Sequence, residues 1–98
     1  MVRVSVRFFT MLKEITGKKE ETVVLRDSEP ATVKLVLGKL AKKYGKDFNG
    51  YVYDSKTGQV RGFLQFLVNG KGVSPTKGID TELCDGDVLA IVPPVGGG

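Results

Sequence analysis

Residues 32–45 read Thr32-Val33-Lys34-Leu35-Val36-Leu37-Gly38-Lys39-Leu40-Ala41-Lys42-Lys43-Tyr44-Gly45. Val33, Val36, Leu37, Leu40, Ala41 and Tyr44 recur at i, i+3, i+4 spacing, so they share one face of a helix and leave the lysines on the other. Thr32 fits the N-cap, where its hydroxyl accepts a backbone N–H of the first turn. The lysines gather towards the negative end of the helix dipole, and Gly45 fits the left-handed position just past it. Gly38, on the outer side, costs this helix up to about 1 kcal/mol of propensity.

Outward from the helix, the remaining patterns are mostly strands. Val2, Val4, Val6 and Phe8 alternate with polar residues at period two and point into one core. Met11, Leu12 and Ile15 break that alternation in a short helical turn or packed loop ending at Gly17, and Thr22–Leu25 return as an antiparallel partner. Pro30 closes this region. After the helix, Tyr51 to Gly62 reads as a surface excursion around the turn Asp54-Ser55-Lys56-Thr57-Gly58. Phe63–Val68 is a strand, and Asn69-Gly70 reverses it in a type I′ turn. Asp85-Gly86-Asp87 turns the chain into Val88–Val92, which Pro93-Pro94 stop. One helix and a β-rich order predict an α+β domain over residues 1–94, a mixed sheet of four to five strands packed on one main helix, with residues 95–98 as a tail.

The chain has 98 residues, 41% of them apolar and 27% charged, an ordinary globular balance for one domain. It contains no histidine and a single cysteine, Cys84, which removes histidine-ligated metals, Ser-His-Asp triads, Cys-His pairs and internal disulfides from consideration. No leader pattern and no apolar run near the ~20 residues that span a bilayer can be found, so a cytoplasmic protein without membrane contact is expected. The net charge of +4 is too modest to identify a nucleic-acid ligand; Lys34, Lys39, Lys42, Lys43 and Lys46 read as a solvated helix face.

The sharpest feature is the end of the sequence, Pro93-Pro94-Val95-Gly96-Gly97-Gly98. Three glycines can form neither core nor cap here, and they maximise backbone freedom. The proline pair stiffens their exit from the sheet, so a strip without side chains is projected from the body with a carboxylate at its tip. Such a strip fits a channel too narrow for a Cβ.

Three stretches together, Val6-Arg7-Phe8-Phe9 with Lys13-Glu14-Ile15-Thr16-Gly17, Val68-Asn69-Gly70-Lys71, and Leu83-Cys84-Asp85-Gly86-Asp87 continuing through Ala90 and Pro93-Pro94-Val95 to Gly97-Gly98, resemble the MoaD/ThiS family of ubiquitin-like sulfur carriers. The likeness is nearest to the small subunit of molybdopterin synthase, and it covers nearly the whole chain. Gly96 departs from the pattern, which often has a larger residue such as Thr there. The resemblance implies a ubiquitin-like β-grasp fold and a protein that is not an enzyme on its own. It implies that an E1-like (MoeB-like) adenylating enzyme uses ATP to activate Gly98, that sulfur displaces AMP, and that the thiocarboxylate enters a MoaE-like large subunit. There the sulfur passes to a pterin precursor of the molybdenum or tungsten cofactor. Gly98 and Gly97 would carry the chemistry, with no cofactor and no metal bound.

A carrier also has to be gripped. The final strand is apolar on both parities although one helix covers one sheet face; the larger Leu89 and Ile91 are expected inside. Phe9, on the polar parity of the first strand, then either tucks under residues 11–17 or joins Val73 and Val92 in an exposed patch beside the tail. In the second case the partner surface comprises Phe9, Val73, Val92, Pro93, Pro94, Val95 and Gly96. Cys84 reads as a small, partly buried filler, since its acidic neighbours Glu82, Asp85 and Asp87 are poor company for a nucleophilic thiolate. Asp85 and Asp87 fall short of a cation loop and are explained by the turn. The same activated tail would also serve a protein modifier joined to lysines, or a carrier for thiazole synthesis or tRNA thiolation; a plain RNA-binding module would leave the glycines without a purpose.

Overall fold

The structure, a computed structural model, describes residues 1–73 and 77–93. The alternating run at the start forms β1 (Val2–Phe8), with Val4, Val6 and Phe8 buried on one face. A seven-residue helix, α1 (Thr10–Thr16), follows and inserts Leu12 into the core. Gly17, at φ +72°, ends it by donating its N–H to the Lys13 carbonyl at 2.9 Å. The chain returns as β2 (Glu20–Leu25), antiparallel to β1 with Val2 opposite Leu25, and two residues longer at its start than its apolar pattern predicts.

Helix α2 (Val33–Tyr44) has the expected limits. The Thr32 hydroxyl accepts from the Leu35 N–H at 3.3 Å, and Val33, Val36, Leu37 and Leu40 are buried. Gly45 has the positive φ that favours glycine, but its ψ of −140° carries the chain away from a left-handed cap and into another helix. That helix, α3 (Lys46–Val52), is a correction to the sequence reading, which assigned the chain one convincing helix. Its helical signal is only the i, i+4 pair Phe48 and Val52, both fully buried, among the poor helix formers Asp47, Asn49 and Gly50. Tertiary contacts supply what propensity lacks. The Asn49 amide donates to the carbonyls of Gly45 (2.7 Å) and Ala41 (3.1 Å), and the Arg61 guanidinium donates twice to the Gly50 carbonyl at 3.2 and 3.0 Å. Beyond it, Asp54 to Gly58 form the turn read from the sequence, flanked by the bridge between Tyr53 and Val60.

Three further strands, β3 (Gln65–Val68), β4 (Lys71–Gly72) and β5 (Val88–Val92), complete a five-stranded mixed sheet in the order β2-β1-β5-β3-β4. Asn69 and Gly70, at φ +52° and +84°, make the tight turn between β3 and β4. Strand β5 runs parallel to β1 and antiparallel to β3, so the last strand of the sequence is the middle strand of the sheet. Helices α1, α2 and α3 and the buried faces of β1, β2, β3 and β5 share one apolar cluster.

One charged side chain ties β2 to the helices. Glu21, with only 9% of its side chain exposed, accepts from Lys43 at 2.8 Å, from Lys18 at 3.1 Å and from the Tyr44 hydroxyl. The Tyr44 ring in turn stacks on Phe48 and meets Phe8 edge-on. Burial pushes the Glu21 carboxyl up, but the bonds from Lys43, Tyr44 and Lys18 outweigh it and hold the group below its ordinary value of 4.5.

Two measurements check this account. A depressed carboxyl contributes stability above its unfolded-state value that is lost as the pH falls through the folded-state value. Glu21→Gln is therefore expected to lower stability at neutral pH and to flatten its loss on acidification, measured by urea titration from neutral pH down to pH ~3; an unchanged acid profile contradicts the assignment. At Gly38 a Cβ would meet nothing within 4 Å, and φ is not positive. Gly38→Ala is expected to stabilise by about 0.5–1 kcal/mol, visible as a thermal midpoint raised by several degrees; a lower midpoint refutes it.

Candidate functional site

Because β5 lies parallel to β1, its C-terminal end emerges beside the end of β1. The register pairs Ile91 with Phe8 on one side and Val92 with Gln65 on the other. The glycine-ended tail therefore leaves from a point fixed on both flanks. Pro93 is half-buried and is the last described residue; the expected tail residues Pro94, Val95, Gly96, Gly97 and Gly98 lie outside the described residues.

The start of β5 is held by the turn before it. Asp87 accepts from the Cys84 N–H at 2.7 Å with one carboxylate oxygen and from the Asn69 amide at 2.9 Å with the other. The Asn69 side-chain oxygen accepts from the Val88 N–H at 2.9 Å, and Asn69 donates its own N–H to the Val88 carbonyl at 2.8 Å. Asp85 accepts from the Arg3 N–H at 2.8 Å. Both aspartates thus serve the turn, and among the described residues no group of three or more His, Cys, Asp or Glu is placed to hold a metal. Sequence reasoning placed the two turns but missed that one asparagine joins them; no signal at either turn names the other.

Leu89 and Ile91 are fully buried, as their size predicts. Strict alternation then turns Val88, Ala90 and Val92 to the opposite face, where they are half-buried beside Leu67, Ser5 and Arg7. Phe9 follows β1 on this parity, is 41% exposed, and stands one residue beyond the Phe8–Ile91 pair. Of the two readings of Phe9, burial under residues 11–17 is therefore set aside. Val88, Ala90 and Leu67 were missed as parts of this face, although the same alternation could have found them.

Two expectations need correction. Val73 does not join Phe9 and Val92: it lies across from Phe66, to whose carbonyl it donates at 3.1 Å, and it packs against the buried cluster. Paired residues in an antiparallel ladder share a face, and Phe66 is on the core side. Cys84 is exposed rather than a partly buried filler, because the turn uses its backbone to reach Asp87 and presents the side chain to solvent. Among the described residues no helix is long and apolar enough to cross a membrane.

A mixed β-grasp sheet packed on helices, with the central last strand delivering the end of the sequence, defines a ubiquitin-like domain. The sequence pattern of the ThiS family matches residues 6–98, and the chain belongs to that family of ubiquitin-like sulfur carriers and modifiers. It is 33% identical to small archaeal modifier protein 3 of Haloferax volcanii over 97 residues, 99% of this chain and all of that one. The crystal structure of small archaeal modifier protein 1 from the same organism superposes with a TM-score of 0.82 at 23% identity, covering 97% of this chain and 100% of that one, a likeness of fold. A Pyrococcus furiosus chain assigned as subunit 1 of a molybdopterin converting factor superposes with a TM-score of 0.70 at 31% identity, covering 97% and 100%. Small carriers of this kind are not themselves enzymes.

The exposed position of Phe9 gives a prediction. Phe9→Asp is expected to weaken capture by a tail-binding partner at least tenfold while shifting the thermal midpoint by only a few degrees, since surface substitutions change stability by about 0.5 kcal/mol or less. Titration calorimetry and thermal melts check it, and a large loss of stability refutes the surface role.

Proposed function

We propose that this chain is a sulfur carrier acting through the carboxylate of Gly98, and that its sulfur serves molybdenum or tungsten cofactor synthesis as the small subunit of molybdopterin synthase. The observation that supports this most is the delivery of a side-chain-poor end from the central strand of a domain of the ThiS family. A firmly held base followed by residues without side chains suits insertion into a narrow channel.

The chemistry follows from the weakness of a carboxylate as an electrophile. On an E1-like (MoeB-like) enzyme in the cytoplasm, a Gly98 oxygen attacks the α-phosphorus of ATP and expels pyrophosphate. Hydrosulfide, or its equivalent on a donor, then attacks the acyl carbon and expels AMP, leaving a thiocarboxylate. Ionised sulfur is the reactive form, as it is for a cysteine thiolate. Gly97 and Gly96 leave the path clear of Cβ atoms, Pro93, Pro94 and Val95 aim it, and Phe9 with Val92 forms the apolar surface beside it. A MoaE-like large subunit would receive the tail and supply the catalytic groups, while this chain supplies the sulfur and binds no cofactor itself.

A second reading has its own support: the 33% identical relative is named a modifier. In that case a lysine amine attacks the acyl group in place of sulfur and forms an amide. Both readings need the same activated Gly98.

Intact mass and a gel separate them, after incubation with ATP, sulfide and the adenylating enzyme of the same organism. The expected result is a mass increase equal to exchanging one oxygen for one sulfur, lost on deletion of Gly98 and retained in Cys84→Ser. A ladder of lysine-linked conjugates favours the modifier, and no change in either assay refutes both.

A further inference from the structure

We propose that the groove at the corner between β1, α1 and the start of β2 is a docking site for carboxylate side chains on the enzyme that activates the tail. This inference rests on the reading of Gly98 as the activated group. The groove encloses about 380 Å³ and is lined by Arg7, Phe9, Thr10, Lys13, Lys19 and Glu20, among others.

Its charge is unbalanced, with three cations against one carboxylate. Arg7 Nε stands 3.8 Å from Glu20 with both side chains largely exposed, a pair of little strength. Among the described residues Lys13 and Lys19 form no ion pair, whereas the nearby Lys18 and Lys43 share Glu21. A second hollow shares Thr10, Lys13 and Lys19 and adds Lys18 and Glu14, so the cationic excess extends around the corner.

The corner itself is held in an unfavourable conformation. Thr10 has φ +45°, the left-handed region that a β-branched side chain avoids. This bend lets α1 start immediately after the extended Phe9, whose ring is partly in solvent and lines the same groove as the cations. Backbone strain that exposes an aromatic ring at the surface is a mark of a working surface.

Position supplies the link to the tail. Phe8 pairs with Ile91, so the groove begins one strand spacing, about 4.8 Å, from the end of β5. Strand β5 lies on one side of β1 and Lys19 and Glu20 lie on the other, so a protein that holds the tail reaches the groove by spanning the end of β1. Carboxylates arranged around an apolar spot complement it in charge and in apolar character. A single-stranded nucleic acid fits less well, because a single aromatic offers no succession of stacking platforms.

The test compares Lys13→Glu/Lys19→Glu with Lys34→Glu/Lys42→Glu, which makes the same charge change on α2. Pyrophosphate release from ATP by the organism's adenylating enzyme is followed at varied carrier concentration, at low ionic strength and at ~0.5 M salt, where the screening length is a few ångströms. The first variant is expected to raise KM for the carrier about tenfold at low salt, with kcat and thermal midpoint unchanged and the wild-type salt dependence flattened. The α2 variant is expected to keep the wild-type KM. An unchanged KM in the first variant, an equal rise in both, or a loss confined to tRNA affinity overturns the proposal. If the wild-type chain itself elicits no pyrophosphate release, it is the activation of Gly98 that has failed, and with it the basis of the groove's role.

Discussion

Strand β5 is hydrogen-bonded on both sides, parallel to β1 and antiparallel to β3, and it places Leu89 and Ile91 at the centre of the apolar cluster. A one-residue slip would carry both side chains to the solvent face and bring Val88, Ala90 and Val92 into the core, so burial strongly specifies the register. The bonds that Asp85, Asp87 and Asn69 make at the start of the strand enforce the same register from outside the core. The direction and height at which the tail leaves the domain depend on this strand.

The helices complete what the sheet begins. Helix α2 covers the buried face, and Glu21 draws its C-terminal end onto β2 through Lys43 and Tyr44. Tyr44 continues that contact inward through its rings to Phe8 and Phe48, so one carboxylate on an edge strand connects the sheet, α2 and α3. The base of the tail, up to Pro93, is embedded in this body. A surface held fixed by such packing lowers the ordering cost of any encounter made on it.

The outer sheet face and the end of β1 meet where the chain leaves β5. Val88, Ala90, Val92 and Leu67 put an apolar strip on that face among Ser5, Arg7 and Gln65, Phe9 follows β1 on the same parity, and the cations at the α1 corner lie at the end of β1. Apolar contact contributes affinity, whereas a cationic border contributes orientation and rate of encounter. The two properties sit side by side because the parallel pairing of β1 with β5 brings their ends together.

Much of this was present in the residues themselves. The α2 stripe, the alternation of β1, the Asn69-Gly70 turn and the inward choice of Leu89 and Ile91 all follow from local periodicity, side-chain volume and backbone preference, which act within a few residues. The terminal glycines likewise declare a strip without Cβ atoms wherever it is directed. Helix α3 was not legible, because Asp47, Asn49 and Gly50 disfavour it locally and its stability comes from Phe48 and Val52 meeting side chains distant in sequence. Nor could the sequence place Val73 on the core side or expose Cys84, since each depends on a pairing or a backbone bond made across the fold. The local pattern determined every element except α3, and the absence of side chains at the end of the chain; only the tertiary structure decided that β5 enters the middle of the sheet, because its pairing with β1 joins residues as far apart as Ser5 and Val88.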